Sequence, residues 1–430
     1  MALTVEQALR REPRTAAQLQ QLTGLSQPSI SRRLAGLGAA LLRSGKGKNT
    51  RYYLHRPLPP LTAPMPIYQV SAQGQAQRFA TLSPVYPHGY LIDHHGAQYY
   101  CEGLPWWLVD LRPQGFIGRN FAQRHGLPAN PDEWSDDEAL TALLRFPHDT
   151  LGDLLAGQPA YDQWLNREPQ IVSDSALETL AEAALQGEMV GSSAGGEQPK
   201  FACNLNGQEV LVKFTARLTS DNARRWANLL RAEHLALQLL RAAGFASCHS
   251  RLIETPERLF LAISRYDRVA GQGRVGQVSL RTLDAEFMGK APQDWPTLAA
   301  ELAAQRLVAT QVVAEVSLLW CFGRLIANND MHHGNLSFTH NGAPPFALAP
   351  CYDMLPMAFA PSRSGHMANH HQIQLQSTIE GAHWRRALPL AQSFWQQLAA
   401  SDSVDGDFRA IAEQMAQQLV GIQPLIERMA

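Results

Sequence analysis

The stretch Asn328-Asn329-Asp330-Met331-His332-His333-Gly334-Asn335 leaves the chain around it few options. The apolar run from Leu318-Leu319-Trp320 to Leu325-Ile326 precedes it and reads as a buried helix. Leu336-Ser337-Phe338 follows and reads as a short strand. A backbone that leaves a buried helix and re-enters as a strand must return within one tight turn. Asp330 and Asn335 then face the same side. A second acid, Asp353, closes the segment Ala349-Pro350-Cys351-Tyr352-Asp353.

A carboxylate, an amide five positions later and a further carboxylate form the layout with which phosphotransferases work. The first acid takes or orients a hydroxyl proton, and the amide and the later acid hold Mg²⁺ among phosphates. An Asp and an Asn at this spacing recur by chance, so the upstream elements decide the reading. Glu209-Val210-Leu211-Val212-Lys213-Phe214 is an apolar strand with one lysine. Glu233 lies in a predicted helix over 222–243, among Leu229, Leu230, Leu235, Leu237 and Leu240. A carboxylate in an apolar stretch needs a partner, and Lys213 supplies one. The bland alternative is an edge-strand lysine and a solvated glutamate.

The apolar strand Leu259–Ser264 runs into Arg265-Tyr266-Asp267-Arg268, a segment fit to join two lobes. Around Ser264 and Tyr266 its backbone could meet an adenine edge. Ser192-Ser193-Ala194-Gly195-Gly196-Glu197-Gln198-Pro199-Lys200 lies between a predicted helix over 174–186 and a strand over 200–205. Small residues there let N–H groups approach phosphate closely. The spacing is neither that of a Walker loop nor G-x-G-x-x-G, and a flexible hairpin is the plain alternative. Helices are expected over 297–310 and 312–327, irregular polar chain over 362–371, and helix to the C-terminus. The apolar stripe Ile411, Met415, Leu419, Ile422 is explained by packing.

The N-terminal segment is a different kind of chain. Residues 1–56 carry ten basic side chains and two acids, a net of +8 against −9 for the remainder. Thr4 caps a first predicted helix, Thr15 a second ending at Gly24, and Pro28 opens a third. Ile30, Leu34 and Leu37 point inward on that third helix, while Gln27, Ser29, Ser31, Arg32 and Arg33 point outward. Two strand-like pieces, Ala40–Arg43 and Arg51–Leu54, flank a turn with Lys46 and Lys48 and suggest a wing. The segment is thus expected to be a winged helix-turn-helix that meets DNA phosphates through Gln27, Ser29, Ser31, Arg32, Arg33, Lys46, Lys48 and Arg51. A basic interaction module that never meets DNA is the alternative. Winged helices often bind as dimers, which leaves a homodimer as an expectation.

Residues 57–66 hold five prolines and read as a semi-rigid spacer. Residues 67–170 are less telling. Strand-like pieces span 67–70, 77–82, 89–93 and 98–102, with helical segments over 136–143 and 151–155. His88, His94 and His95 lack regular ligand spacing and read as surface histidines. The five cysteines form no C-x-x-C pair, which fits a reduced cytoplasmic protein. No apolar run suits a signal peptide or a membrane span.

With these elements placed, the chain resembles the HipA family of bacterial toxin-type serine/threonine kinases over roughly 67–425. Asn329-Asp330-x-His332-x-x-Asn335 is similar to the family's catalytic loop and Leu348-Ala349-Pro350-x-Tyr352-Asp353 to its metal-binding strand. Ser192-x-Ala194-Gly195 with Gln198 and Lys200 resembles its phosphate loop, and Arg265-Tyr266-Asp267-Arg268 its hinge. The resemblance implies an α+β, two-lobed protein-kinase-like fold: a subdomain over 67–170, an N-lobe over 171–268 and a helical C-lobe over 269–430. It implies Asp330 as base, Asn335 and Asp353 as Mg²⁺ ligands, and Lys213 as phosphate lysine held by Glu233. His332 would shape the loop or contact nucleotide. It further implies ATP as cofactor, a protein substrate, and autophosphorylation of Ser192, with Ser193 the alternative. Fusion of a winged helix resembles the YjjJ-like subgroup. The family's Q-E-D segment reads Asp284-Ala285-Glu286 here. Two rivals stay open: a small-molecule kinase of the aminoglycoside or choline type, and a non-catalytic DNA-binding regulator with a kinase-like sensor.

Overall fold

A computed structural model describes residues 3–61, 64–168, 170–187, 198–269, 271–290, 292–362 and 364–430. Ser192, Ser193, Ala194 and Gly195 lie outside the described residues.

Helices α1 (Val5–Arg11), α2 (Ala16–Thr23) and α3 (Gln27–Gly36) pack on a small sheet of β1 (Arg14–Thr15), β2 (Leu41–Ser44) and β3 (Arg51–Leu54), in the order β1-β3-β2. Thr4 and Thr15 each close a capping box with the glutamine three residues on, which satisfies two N–H groups at each helix start. Gly24 takes φ +71° and ends α2. Leu9, Leu19 and Ile30 are fully buried between the helices.

The expected proline spacer is instead packed chain. Leu58 and Leu61 join the next core, and β4 (Met65–Val70) already begins inside the proline stretch. Arg56 forks onto Asp137, which also accepts from the Tyr90 hydroxyl at 2.6 Å, and Arg10 reaches the Tyr86 hydroxyl at 2.9 Å. Apolar leucines between the prolines and two arginine anchors therefore hold the basic head against the body.

Strands β4, β5 (Ala76–Pro84), β6 (Tyr90–His94), β7 (Ala97–Cys101) and β8 (Leu154–Ala156) form an antiparallel sheet in the order β7-β6-β5-β4-β8. Helices α4 (Trp106–Val109), α5 (Gly115–Arg124), α6 (Asp136–Arg145) and α7 (Gly157–Leu165) accompany it. The 151–155 segment, expected to be helical, instead runs into the edge strand β8, whose Leu154–Ala156 pair with Ile67–Gln69. Gly152 and Gly157, both at positive φ, bracket it and stop a helix from forming.

The next layer holds β9 (Ile171–Val172), α8 (Leu177–Leu185), β10 (Lys200–Leu205), β11 (Gln208–Phe214), α9 (Asp221–Ala242), β12 (Ser250–Glu254) and β13 (Leu259–Ser264). Its sheet runs β12-β13-β11-β10-β9, antiparallel except at β9–β10. Strand β13 buries both faces. Phe260 and Ala262 pack with α8, while Leu259, Leu261 and Ile263 pack with Ala227 and Leu230 of α9. That two-sided burial is why its sequence is apolar without alternation.

The last unit contains β14 (Gly276–Ser279), α10 (Leu280–Phe287), α11 (Trp295–Ala304), α12 (Gln311–Leu325), β15 (Ser337–His340), β16 (Ala347–Leu348), α13 (Gly381–Ala399) and α14 (Gly406–Arg428). Trp295, Phe322, Trp384 and Trp395 are central to its core, which Leu229, Ala236 and Leu240 of α9 complete. The helix expected over 297–310 stops at Ala304. Arg306 takes φ +60°, and Leu307–Val308 turn away to bond Phe346. No helix among the described residues is long and apolar enough to cross a membrane.

Candidate active site

Helix α12 delivers the chain to the loop, and Ala327 (φ +60°) turns it. Asn328, buried, then links two distant stretches. Its Oδ1 accepts from the Asp330 backbone N–H at 3.1 Å, and its Nδ2 donates to the Asp353 carbonyl at 3.4 Å. Met331 and Met354, each next to one of these acids, both rest on Gly323 of α12. A Cβ there would lie 2.4 Å from one sulfur and 3.2 Å from the other. Asp353 itself sits at φ +56°, a conformation that costs energy in a residue other than glycine and that clusters at functional sites.

Lys213, on β11, reaches both Glu233 carboxylate oxygens at 2.7 Å and Asp353 Oδ1 at 2.5 Å. Burial works against both charges of the inner pair. For Lys213 the two carboxylates outweigh it, and the ammonium is held charged. For Glu233 burial wins over the charge of Lys213, the Asp353 charge adds to it, and its pKa is raised. Burial also opposes the Asp353 charge, yet Lys213 and Lys200 bring that carboxyl down to about 2. Asp330 is exposed and moves the other way. Burial of part of its carboxyl raises it, His332 lowers it, and the Asp353 charge raises it again.

The loop is held from several sides. The Asn335 amide nitrogen donates to the Asp330 carbonyl at 2.8 Å, so its amide oxygen is the atom left to meet a cation. His332 Nδ1 accepts from the Gly334 N–H at 3.0 Å, which puts the proton of a neutral ring on Nε2. The Tyr352 hydroxyl donates to the Gly334 carbonyl at 3.0 Å and pairs with Ser337 at 2.7 Å. Arg225 of α9 donates to the Phe359 and Ala368 carbonyls and to Asn369, which fastens the chain beyond Asp353.

Asp330, His332, Asn335, Asp353, Lys213 and Glu233 are thus brought to one place. Tyr266 stacks on Tyr352 with centroids 6.2 Å apart, at the margin of that group. The Ser264 hydroxyl accepts from the His249 N–H at 3.0 Å and so ties β13 to the start of β12. Oxygen donors from one carboxylate and one amide form a hard set. It suits Mg²⁺, which draws most of its ligands from water and phosphate. Among the described residues no group of three His, Cys, Asp or Glu is gathered as a protein-only cage.

Two contributions were hidden from the sequence. Lys200 is buried and stands opposite Lys213 in the β10–β11 register. Its charge bears on Asp353, Glu233 and Asp330. Asp149, from the loop after α6, accepts from Arg265, Arg268 and Arg274, while Asp267 binds Arg265 and Arg268 and the Gly152 N–H at 2.9 Å. The Arg265-Tyr266-Asp267-Arg268 segment therefore uses its charges to clamp the middle sheet to the joint between the lobes.

In the N-terminal unit Gln27, Ser31, Arg32, Arg33, Lys46, Lys48 and Arg51 are exposed and Ser29 is half-buried. None of the basic residues in this set takes part in an ion pair among the described residues.

Two family models match the chain: the YjjJ-like toxin middle domain over residues 61–165 and the HipA-like C-terminal domain over 192–422. Toxin YjjJ of Escherichia coli strain K12 is 38% identical over 438 residues, covering 98% of both chains. Among solved structures, the HipA of Shewanella oneidensis MR-1, determined with HipB and operator DNA, superposes with a TM-score of 0.52 at 13% identity. The match covers 82% of this chain and 96% of that one. The middle sheet, the lysine-bearing lobe and the helical lobe thus follow one family's plan, and the chain belongs to the HipA family, in its YjjJ-like toxin branch.

Proposed function

We propose that the protein is an ATP- and Mg²⁺-dependent serine/threonine protein kinase of the cytoplasm, fused to a DNA-binding winged helix. The observation that carries this reading is the buried Lys213 held between Glu233 and Asp353, with Asn328 tying the Asp330 loop to the same acid. In this reading Asp330 takes the proton of the acceptor hydroxyl, and Lys213 lends its charge to the nucleotide phosphates. Asp353 and Asn335 would hold Mg²⁺, which when bound neutralises phosphate charge. Tyr352, Asn328 and the His332 ring keep the loop in place, so catalysis is chiefly positioning and charge.

Incubation with Mg²⁺ and ATP followed by mass spectrometry is expected to show phosphate on Ser192, or on its neighbour Ser193. A protein that phosphorylates sugars or amino alcohols and never itself or another protein would move the reading to the small-molecule rival. The transfer rate should fall on acidification. A protonated Asp330 cannot accept the hydroxyl proton, so activity is present above its pKa and lost below it. Burial and the Asp353 charge place that limb above the ~3.9 of a free aspartate. A rate that stays flat through the whole carboxylate range would remove Asp330 from the base role.

The winged-helix part rests on the exposed basic faces of α3 and of the β2–β3 turn. Affinity for duplex DNA, followed by fluorescence anisotropy, should fall linearly with log salt. Arg32→Ala should lower that slope by about 1, the signature of one lost phosphate contact. Salt-independent binding would point to a protein partner instead. The non-catalytic regulator would show DNA binding modulated by ATP with no turnover.

A further inference from the structure

A cavity of about 720 Å³ opens between the middle sheet's helices and the β9–β10 edge of the next layer. Arg274, Asp149, His148, Arg167, Asn204 and Glu209 contribute to its wall, and none of the candidate active-site residues does. Its volume is that of sites for small molecules, roughly 300–1,000 Å³.

The wall carries polar atoms that folding has buried without partners. Arg274 is only 5% exposed. One of its terminal nitrogens donates to Asp149 at 3.3 Å, and the other, Nη1, has no partner among the described residues. Asn204 Oδ1 and Glu209 Oε2, from β10 and β11, are buried acceptors without a donor. The neighbouring ion cluster holds Arg274 only loosely. Arg265, Arg268 and Arg274 face Asp149 and Asp267, and Asp153 also acts on Arg274, yet the only acid within ion-pair distance of Arg274 among the described residues is Asp149, at 3.3 Å. Burial, then the charges of Arg268 and Arg265, push Arg274 down to about 9, so it is still a cation at neutral pH. Buried charges are ordinarily paired and buried polar atoms hydrogen-bonded. A donor-bearing cation on one wall and two orphan acceptors on another describe a complementary guest.

We propose that this cavity binds a small metabolite that sets a phosphate or carboxylate against Arg274 and hydroxyl or amino donors against Asn204 and Glu209. A sugar phosphate and an amino acid share that chemistry. The inference does not depend on the kinase reading, because binding is its readout.

The test is calorimetric and thermal titration of the full chain with ribose 5-phosphate and, separately, with glutamate. One of them is expected to give saturable heat with a Kd near or below ~1 mM and to raise the melting temperature. The arm that responds identifies the anionic group. Arg274→Met should keep the fold and lose at least about tenfold in affinity, or 1.4 kcal/mol. Asn204→Leu should weaken binding as well, whereas Asp353→Ala should leave it unchanged. Absence of binding by both probes up to about 10 mM overturns the proposal. So does undiminished binding by Arg274→Met.

Discussion

Asp330→Asn is expected to keep the fold and lose phosphotransfer by about 10²–10⁴-fold, the range a positioned general base contributes. The exchange keeps the side chain's size and leaves the backbone bonds that hold the loop. The Asp330 N–H still reaches Asn328, and its carbonyl still receives the Asn335 amide. The residue is exposed, so no buried partner is orphaned. Stability should therefore hold while the acceptor for the hydroxyl proton is gone. Single-turnover labelling with radioactive ATP, run beside a thermal melt, separates the two. A variant that labels itself as fast as its parent would end the assignment.

Asp149→Ala is expected to be the costliest single change for stability outside the apolar core. The carboxylate is shared by Arg265, Arg268 and Arg274, each with a side chain only 4% exposed. Removing it leaves Arg265 and Arg268 to share Asp267 and takes from Arg274 its ion-pair partner. Breaking one buried pair costs about 3–5 kcal/mol, because a charge is stranded without water. Three partners lose their acid here, so the upper part of that range is expected. Reversible chemical unfolding at neutral pH measures it. A loss below about 1 kcal/mol would show that water reaches the cluster and screens it. Asp149 is strongly favoured in its ionised form, as burial is outweighed by Arg265, Arg268 and Arg274. The stabilisation is therefore fully present at neutral pH and fades only in acid, as the carboxyl is protonated.

The catalytic-type loop and its acids were legible because local sequence dictates them. A polar stretch framed by a buried helix and a strand can do little else, and Lys213 and Glu233 each announce themselves as charges among apolar neighbours. The head was legible for the same reason, since Thr4, Thr15, Gly24 and Pro28 are local signals that act within a turn. What failed was set by distant chain. The segment around Leu154 looks helical by itself and becomes a strand because β4 offers an open edge. Leu58 and Leu61 look like linker residues until α4 and α6 supply a surface for them. Asp149 has no pattern around it, and its meaning comes from arginines more than a hundred residues later.

The resting place of Met331 and Met354 has a consequence for tolerance to change. The two acids come from loops 23 positions apart in sequence, yet their distance from one another is gauged from beneath, by the bare backbone of Gly323. A single methyl group at 323 would press on the ends of both methionine side chains at once.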